Sequence, residues 1–127
     1  MKIQTIVFAG LFCTLGLASF RATAAEDDLK TVAAISENMA KLAGQTVRAQ
    51  GKVVKVVSGI MKRNFIHVQD GTGNANANTN DLIVTSKQTA RVGDQVTISG
   101  VVVINRDFGS GYFYPLLVED ASIVVKK

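Results

Sequence analysis

The stretch VRAQGKVVKV, residues 47–56, returns in pattern as VTISGVVVIN at residues 96–105. Both stretches place one valine, a glycine and two further valines at the same spacing: Val47, Gly51, Val53 and Val54 correspond to Val96, Gly100, Val102 and Val103. A glycine inside a strand weakens it unless a bulge or a sharp bend is wanted. Strands that bend at a glycine can serve two sheets of a small closed barrel. The repeat therefore predicts that these two strands have the same bent geometry within one barrel.

Three more runs rich in Val, Ile, Thr and aromatic residues complete a set of five predicted strands. NFIHVQD (64–70), DLIVTS (81–86) and YFYPLLVEDASIVV (112–125) join the two glycine-containing runs, which extend over residues 45–57 and 94–105. Gly, Asn and Asp separate these runs, as is typical of turns. No long helix intervenes, which favours an all-β barrel or sandwich. The stretch GNANANTN (73–80), called the Asn-rich loop below, predicts a polar hairpin loop.

The first 24 residues have the pattern of a secretory signal peptide. Lys2 supplies a positive charge, residues 3–20 carry none, and Ala22-Thr23-Ala24 offers small residues where a signal peptidase cleaves. We therefore predict cleavage after Ala24 and a periplasmic protein. An uncleaved membrane anchor is the alternative, because the apolar run nearly reaches the ~20 residues that span a bilayer.

Residues 25–43 are predicted to form an N-terminal helical segment in front of the barrel, which would occupy residues 44–127. One helix is expected over residues 27–43, with Asp27 or Asp28 as its N-terminal cap and Gly44 at its end. Met39 and Leu42 lie on an apolar stripe at helical spacing. We expect that stripe to pack against the barrel.

The charge of the mature domain is mild. Without Lys2 and Arg21, the chain keeps 12 Lys and Arg against 10 Asp and Glu, a net charge of +2. An argument for an anionic partner must therefore rest on local clusters of charge. The only cysteine, Cys13, lies within the predicted signal peptide. We expect a monomeric domain without a disulfide and without stable membrane insertion after cleavage.

Five stretches resemble exported bacterial OB-fold proteins that are described as nucleic-acid-binding, and these are related in pattern to anticodon-binding OB domains. The stretches are LAGQTVRAQGKVVKV, GIMKRNFIHVQDGTG, DLIVTS, VGDQVTISGVVV and RDFGSGYFYPLLVEDASI, and the resemblance covers residues 35–124. It implies a five-stranded Greek-key OB barrel in which the first and fourth strands pair. It also implies a ligand face on the outside of strands two and three, where the aromatic that corresponds to Phe65 would stack on a base.

Side-chain alternation assigns the faces of strands two and three independently of the resemblance. Ile66 and Val68 form the consistent apolar pair of strand two and should point into the barrel. The same alternation applies in strand three, where Leu82 and Val84 should point inward. The residues that should face outward are Phe65, His67, Gln69, Asp81, Ile83 and Thr85.

Basic and aromatic residues surround this face, a combination that suits single-stranded nucleic acid. Cations contact phosphate, and each base stacked on an aromatic ring contributes ~1–3 kcal/mol. Taken singly, Lys62 and Arg63 could instead be a solvated loop tip, and the tyrosines could close the barrel end. The predicted ligand-binding residues are Lys52, Lys55, Lys62, Arg63, Phe65, His67, Gln69, Thr85, Arg106, Phe108, Tyr112 and Tyr114.

The sequence thus predicts a binding protein and not an enzyme. His67 is the only histidine, and no motif places a nucleophile beside a base. No cofactor and no metal site is predicted, since His67 lacks companion ligands. The first predicted partner is single-stranded nucleic acid. The alternative is a periplasmic accessory module that binds a protein or peptide on the same barrel face.

Overall fold

The computed structural model describes residues 28–126, in which five strands close into a barrel. The strands are β1 (Thr46–Ile60), β2 (Arg63–Gln69), β3 (Leu82–Ser86), β4 (Gln95–Asp107) and β5 (Phe113–Val125). Their order around the barrel is β1-β2-β3-β5-β4, and β4 pairs back onto β1. The all-β prediction is confirmed. The predicted signal peptide, residues 1–24, lies outside the described residues.

β1 and β4 are long because each serves two neighbours. β1 pairs with β4 from Thr46 to Lys52 and with β2 from Lys52 to Ile60. β4 pairs with β1 only over its first half, while its ladder with β5 runs from Val96 to Asp107. The predicted pairing of the first and fourth strands is therefore confirmed.

The two repeated glycines lie where neighbouring backbone comes too close for a side chain. A Cβ added at Gly51, one residue before β1 changes partner, would lie 2.7 Å from the carbonyl oxygen of Gln69. A Cβ added at Gly100 would lie 2.8 Å from the carbonyl oxygen of Glu119, where the β4–β5 register shifts. Real Cβ atoms do not approach backbone oxygen so closely, so both positions require glycine.

The hydrophobic core fills the barrel and continues under the N-terminal segment. Ile66 and Val68 of β2 and Val84 of β3 are fully buried, which confirms the inward half of the predicted alternation. Val32 and Ile35 from the N-terminal segment join the same cluster. No helix within residues 28–126 is long and apolar enough to cross a membrane.

The N-terminal segment contains two short helices, α1 (Val32–Glu37) and α2 (Met39–Leu42). The predicted single helix is wrong because the chain leaves helical geometry at Asn38, where φ is −117° and ψ is 22°. The Asn38 side-chain amide donates to the Ala34 carbonyl at 2.8 Å, which competes with a continuous helical ladder. Leu42 and Met39 are both partly buried, but Leu42 packs against the core as predicted, whereas Met39 lies beside the Asn-rich loop.

α1 also begins later than the sequence predicts. Leu29 forms an isolated parallel bridge with β1, so the chain is extended there. Thr31 is the N-cap, and its hydroxyl accepts a hydrogen bond from the Ala34 N–H at 3.0 Å. A cap at Asp28 is therefore wrong, and Asp27 lies outside the described residues.

The loop after β2 supplies the remaining acceptors at the start of α1. The Asp70 carboxylate accepts from the Val32 N–H at 2.9 Å, and the Thr72 hydroxyl accepts from the Ala33 N–H at 3.0 Å. The first N–H groups of a helix have no partner within the helix. Here side chains satisfy the first three of them, and two of the three acceptors come from the barrel.

The barrel closes along a seam between β3 and β5 that has little backbone pairing. The two strands are parallel, with Val84 opposite Val118. Side chains of β3 reinforce the closure: the Ser86 hydroxyl donates to the Ala121 carbonyl at 2.6 Å. Polar side chains in this part of the barrel therefore hold the fold together.

Candidate functional site

The β4–β5 hairpin reaches across the outer face of β2. Over residues 103–116 its ladder joins only β4 and β5, and its tip lies between the paired residues Asp107 and Phe113. We call residues 103–116 the β4–β5 arm. Phe108 and Tyr114 of this arm contact Phe65 of β2, so the arm covers part of the predicted ligand face.

Phe65 is one of three aromatic rings that contact one another. Its ring centroid is 5.9 Å from that of Phe108 and 5.4 Å from that of Tyr114, and only 3% of Phe65 is exposed. The core cluster contains Ile66 and Val68 but not Phe65. Alternation thus identifies the correct face of the strand. The expected exposed ring is nevertheless wrong, because the β4–β5 arm packs over it.

Thr85 is also covered, although it was predicted to face outward. It lies opposite Phe65 in the β2–β3 ladder and is 1% exposed. Its hydroxyl oxygen lies 3.4 Å from the Asp120 nitrogen, as a hydrogen-bond acceptor across the β3–β5 seam. The expected exposure of Thr85 is therefore wrong, because the side chain is buried in the closure of the barrel.

The two predicted arginines converge on one carboxylate. Arg63 Nη1 lies 3.2 Å from Glu119 Oε1, and Arg106 Nε lies 3.1 Å from Glu119 Oε2. Both guanidinium groups also lie over the Phe108 ring, at 5.3 and 4.4 Å from its centroid. We call Arg63, Arg106 and Glu119 the Arg–Glu–Arg cluster. Since one internal anion holds both cations, they are less available to an external anion than the sequence predicts.

A groove of about 320 Å³ remains open between the arm and the β1–β2 hairpin. Tyr112 at the arm tip is 43% exposed, and Lys55 of β1 lies opposite His67 of β2 in the ladder. The groove collects five of the predicted site residues and adds two aliphatic side chains. Its lining residues are Lys55, Val57, Ile60, Phe65, His67, Tyr112 and Tyr114.

Asp81 fixes the orientation of the histidine in this groove. His67 Nδ1 lies 2.7 Å from Asp81 Oδ2, and Gln69 Nε2 donates to Asp81 Oδ1 at 3.0 Å. An ionised carboxylate can only accept hydrogen bonds, so His67 donates from Nδ1. In the neutral ring, Nε2 is then an acceptor. Asp81 thus holds two of the polar side chains that β2 presents on its outer face, His67 and Gln69.

Two lysines have different surroundings although both were predicted to bind ligand. Lys52 and Gln69 border a separate cavity of about 600 Å³ next to the helical segment, so they do not reach the groove beside the arm. Lys62 is exposed at the tip of the β1–β2 hairpin, where Met61 and Lys62 both have positive φ, 53° and 63°. Within residues 28–126, neither Lys62 nor Lys55 forms an ion pair.

Sequence reasoning missed the acidic residues that organise the site. Glu119 lies 56 positions from Arg63 along the chain, and no local pattern indicates that pairing. Asp81 directly precedes β3, and its position on the outer face was the only signal that it could approach His67. Within the described part of the chain, no group of three or more His, Cys, Asp or Glu side chains could hold a metal ion.

Comparisons with known proteins do not name a family for this chain. No protein-family model matches it, and no curated protein is significantly similar to it. The resemblance to exported OB-fold proteins therefore rests on the five stretches quoted above.

Proposed function

We propose that this chain is an exported OB-fold protein that binds single-stranded nucleic acid in the groove beside the β4–β5 arm. The strand order β1-β2-β3-β5-β4, with β1 paired to β4 and β3 parallel to β5, supports the Greek-key OB assignment. Export to the periplasm rests on the signal-peptide pattern of residues 1–24.

One observation carries the binding proposal: an unpaired lysine and an exposed tyrosine line the same groove. Lys55 forms no ion pair with any residue in 28–126, and Tyr112 presents 43% of its surface. An ammonium group can contact phosphate while a ring stacks on the adjacent base. Because Phe65 is buried, the stacking role that the resemblance gives it passes to Tyr112.

The same geometry supports binding with little sequence preference. Reading a base edge needs polar side chains that are free to form specific hydrogen bonds. Gln69 is held by Asp81, and Thr85 is buried at the seam. Stacking and phosphate contacts remain, and both tolerate any base.

The test is a titration of the mature protein with a fluorescent ten-residue oligothymidylate at two salt concentrations. Tyr112→Ala should lose about 1–3 kcal/mol of affinity without a change in melting temperature, because a stacking ring is removed from an exposed site. Lys55→Gln should lower the log–log salt slope by about 0.7, the value for one lost phosphate contact. Lys52→Gln is the matched control, because Lys52 lies on the same strand outside the groove.

Weak binding by the parent protein would contradict this proposal. A Kd no tighter than ~100 μM at 0.15 M salt is ordinary non-specific attraction. That result would favour the second candidate, a protein or peptide partner. The exposed aromatic tip of the arm supports this candidate, since Phe113 is 52% exposed beside Tyr112.

A further inference from the structure

The Arg–Glu–Arg cluster has the composition of an anion site that the chain fills with its own carboxylate. Arg63 comes from β2, Arg106 from β4 and Glu119 from β5. Each arginine meets a different oxygen of Glu119, at 3.2 and 3.1 Å. Two guanidinium groups around one anion are also the arrangement that recognises phosphate.

Glu119 satisfies these arginines only in part. Arg106 Nε lies at ion-pair distance from the carboxylate, but it is buried and the geometry does not form a hydrogen bond. A guanidinium carries five N–H donors, and one carboxylate cannot meet the donors of two. The arginine side chains are 28% and 42% exposed, whereas that of Glu119 is 12% exposed. The two arginine side chains are therefore more accessible to an anion in solution than the Glu119 carboxylate is to water.

The cluster adjoins the proposed binding groove through aromatic contacts. Both guanidinium groups lie over Phe108, and the Phe108 ring centroid is 5.9 Å from that of Tyr114. Tyr114 lines the groove. A strand whose base stacks at the groove would carry its next phosphate towards these arginines.

We infer that Arg63 and Arg106 form a phosphate subsite and that Glu119 is the specificity-determining residue that occupies it. The inference deepens the proposed function, on which the identity of the ligand rests. In the parent protein, Lys55 and Lys62 contact the ligand's phosphates, and the arginines remain on Glu119. Neutralising Glu119 frees both arginines for phosphate.

The decisive variant is Glu119→Gln, measured with the ten-residue oligothymidylate at low and at physiological salt. We expect affinity to rise about tenfold at low salt, because charge-assisted hydrogen bonds to phosphate become available. The log–log salt slope should steepen by about 1.4, the value for two added phosphate contacts. Glu37→Gln is the control: it removes the same charge at an exposed position on α1. A gain of equal size in Glu37→Gln would overturn the inference.

A double-mutant cycle separates the subsite from net charge. Arg106→Gln should lower the affinity much less in the parent protein than in the Glu119→Gln background, where it should cancel most of the gain. Equal effects in both backgrounds would overturn the inference. If Glu119→Gln does not fold, Glu119→Asp shortens the reach of the carboxylate, and a smaller gain in affinity is then the expected result. No gain with this folded variant would also overturn it.

Titration with inorganic sulfate keeps this inference distinct from the proposed function. Sulfate should shift the Arg106 Nε–H resonance in Glu119→Gln but not in the parent protein. A sulfate shift without oligothymidylate binding by any variant would support the subsite and contradict the nucleic-acid proposal. Oligothymidylate binding that does not change in Glu119→Gln, with no sulfate shift, would support the proposed function and contradict the subsite.

Discussion

The two ends of β2 have different surroundings. At one end, Asp70 and Thr72 hold the start of α1, so the chain itself uses their hydrogen-bonding capacity. At the other end the arm buries Phe65, yet Lys55 forms no ion pair within residues 28–126. The stretch FIHVQDGTG (65–73) therefore contains a structural junction at one end and borders the groove beside the β4–β5 arm at the other. Resemblance in such a stretch can reflect the fold as much as the ligand.

The pKa of Asp70 reflects its burial and its hydrogen bonds with Thr72 and the start of α1. Burial raises the pKa of this carboxyl. Hydrogen bonds from the Thr72 hydroxyl, the Val32 N–H and the Thr72 N–H lower it by more, so the pKa falls below its ordinary value of 3.8. The folded protein thus prefers the ionised carboxylate, which is the form that accepts from the helix.

The largest effect on stability should come from disrupting the β4–β5 ladder of the barrel. Gly100→Val would bring a Cβ to within 2.8 Å of the Glu119 carbonyl oxygen, so the β4–β5 ladder must shift. We expect a loss of about 3–5 kcal/mol in the free energy of unfolding, measured with urea. Val124→Ala on β5 is the control, because Val124 is 64% exposed. Unfolding midpoints that coincide with the parent's would mean that the close approach at Gly100 does not exist.

Phe65→Ala should disrupt the end of β2 that the β4–β5 arm covers, while the contacts at the start of α1 remain intact. Removing a buried aromatic ring typically costs 3–5 kcal/mol, and we expect about 3 kcal/mol here because the arm can partly collapse into the space. Amide resonances of the β4–β5 arm should broaden, and those of α1 should not. Tyr112→Ala, at the exposed tip, should cost less than about 1 kcal/mol. A stable Phe65→Ala that selectively loses oligonucleotide affinity would contradict the structural role of this ring.

Asp70→Ala should lower the free energy of unfolding by about 1–2 kcal/mol, the usual cost of a lost helix cap. Amides of α1 should exchange faster with solvent, while the arm keeps its protection. Asp28→Ala provides a matched control, since the sequence predicts a cap at Asp28 and the structure does not use it. Equal losses in the two variants would mean that Asp70 does not hold α1.

The same contact predicts an acid dependence of stability. A carboxyl whose folded pKa lies below its unfolded value stabilises the fold above the unfolded pKa. This contribution is lost as the pH falls from about 4 through the folded pKa. Urea unfolding at pH 7 and at pH 3 should therefore show a smaller acid-induced loss in Asp70→Ala than in the parent. An identical loss in both proteins would contradict the lowered pKa.

The smallest effect should come from the tip of the β1–β2 hairpin. Met61 and Lys62 have the positive φ values of a type I′ turn, which favours Asn-Gly. Replacing the pair by Asn-Gly should raise the free energy of unfolding by about 1 kcal/mol, because left-handed backbone strains ordinary residues. The variant also loses Lys62, so the salt slope of oligothymidylate binding should fall by about 0.7. A stabilised variant with an unchanged slope would show that Lys62 takes no part in binding.

The sequence by itself determined which face of each strand is apolar and which positions require glycine. These properties are local: side chains alternate with a period of two, and Gly51 and Gly100 lie in matching surroundings. The inward positions of Ile66 and Val68 follow directly from that period. The predicted start of the helix was wrong because a cap depends on available partners, and Asp70 and Thr72 lie about 40 residues away along the chain.

Only the tertiary structure decided what covers each outward side chain and which charges pair. Alternation places Phe65 outside the barrel but carries no information about an arm that folds back over it from β4 and β5. The pairing of Arg63 and Arg106 with Glu119 likewise joins three strands. Coverage and charge pairing depend on distances in space between segments far apart in the chain, whereas the faces of a strand depend only on neighbouring residues.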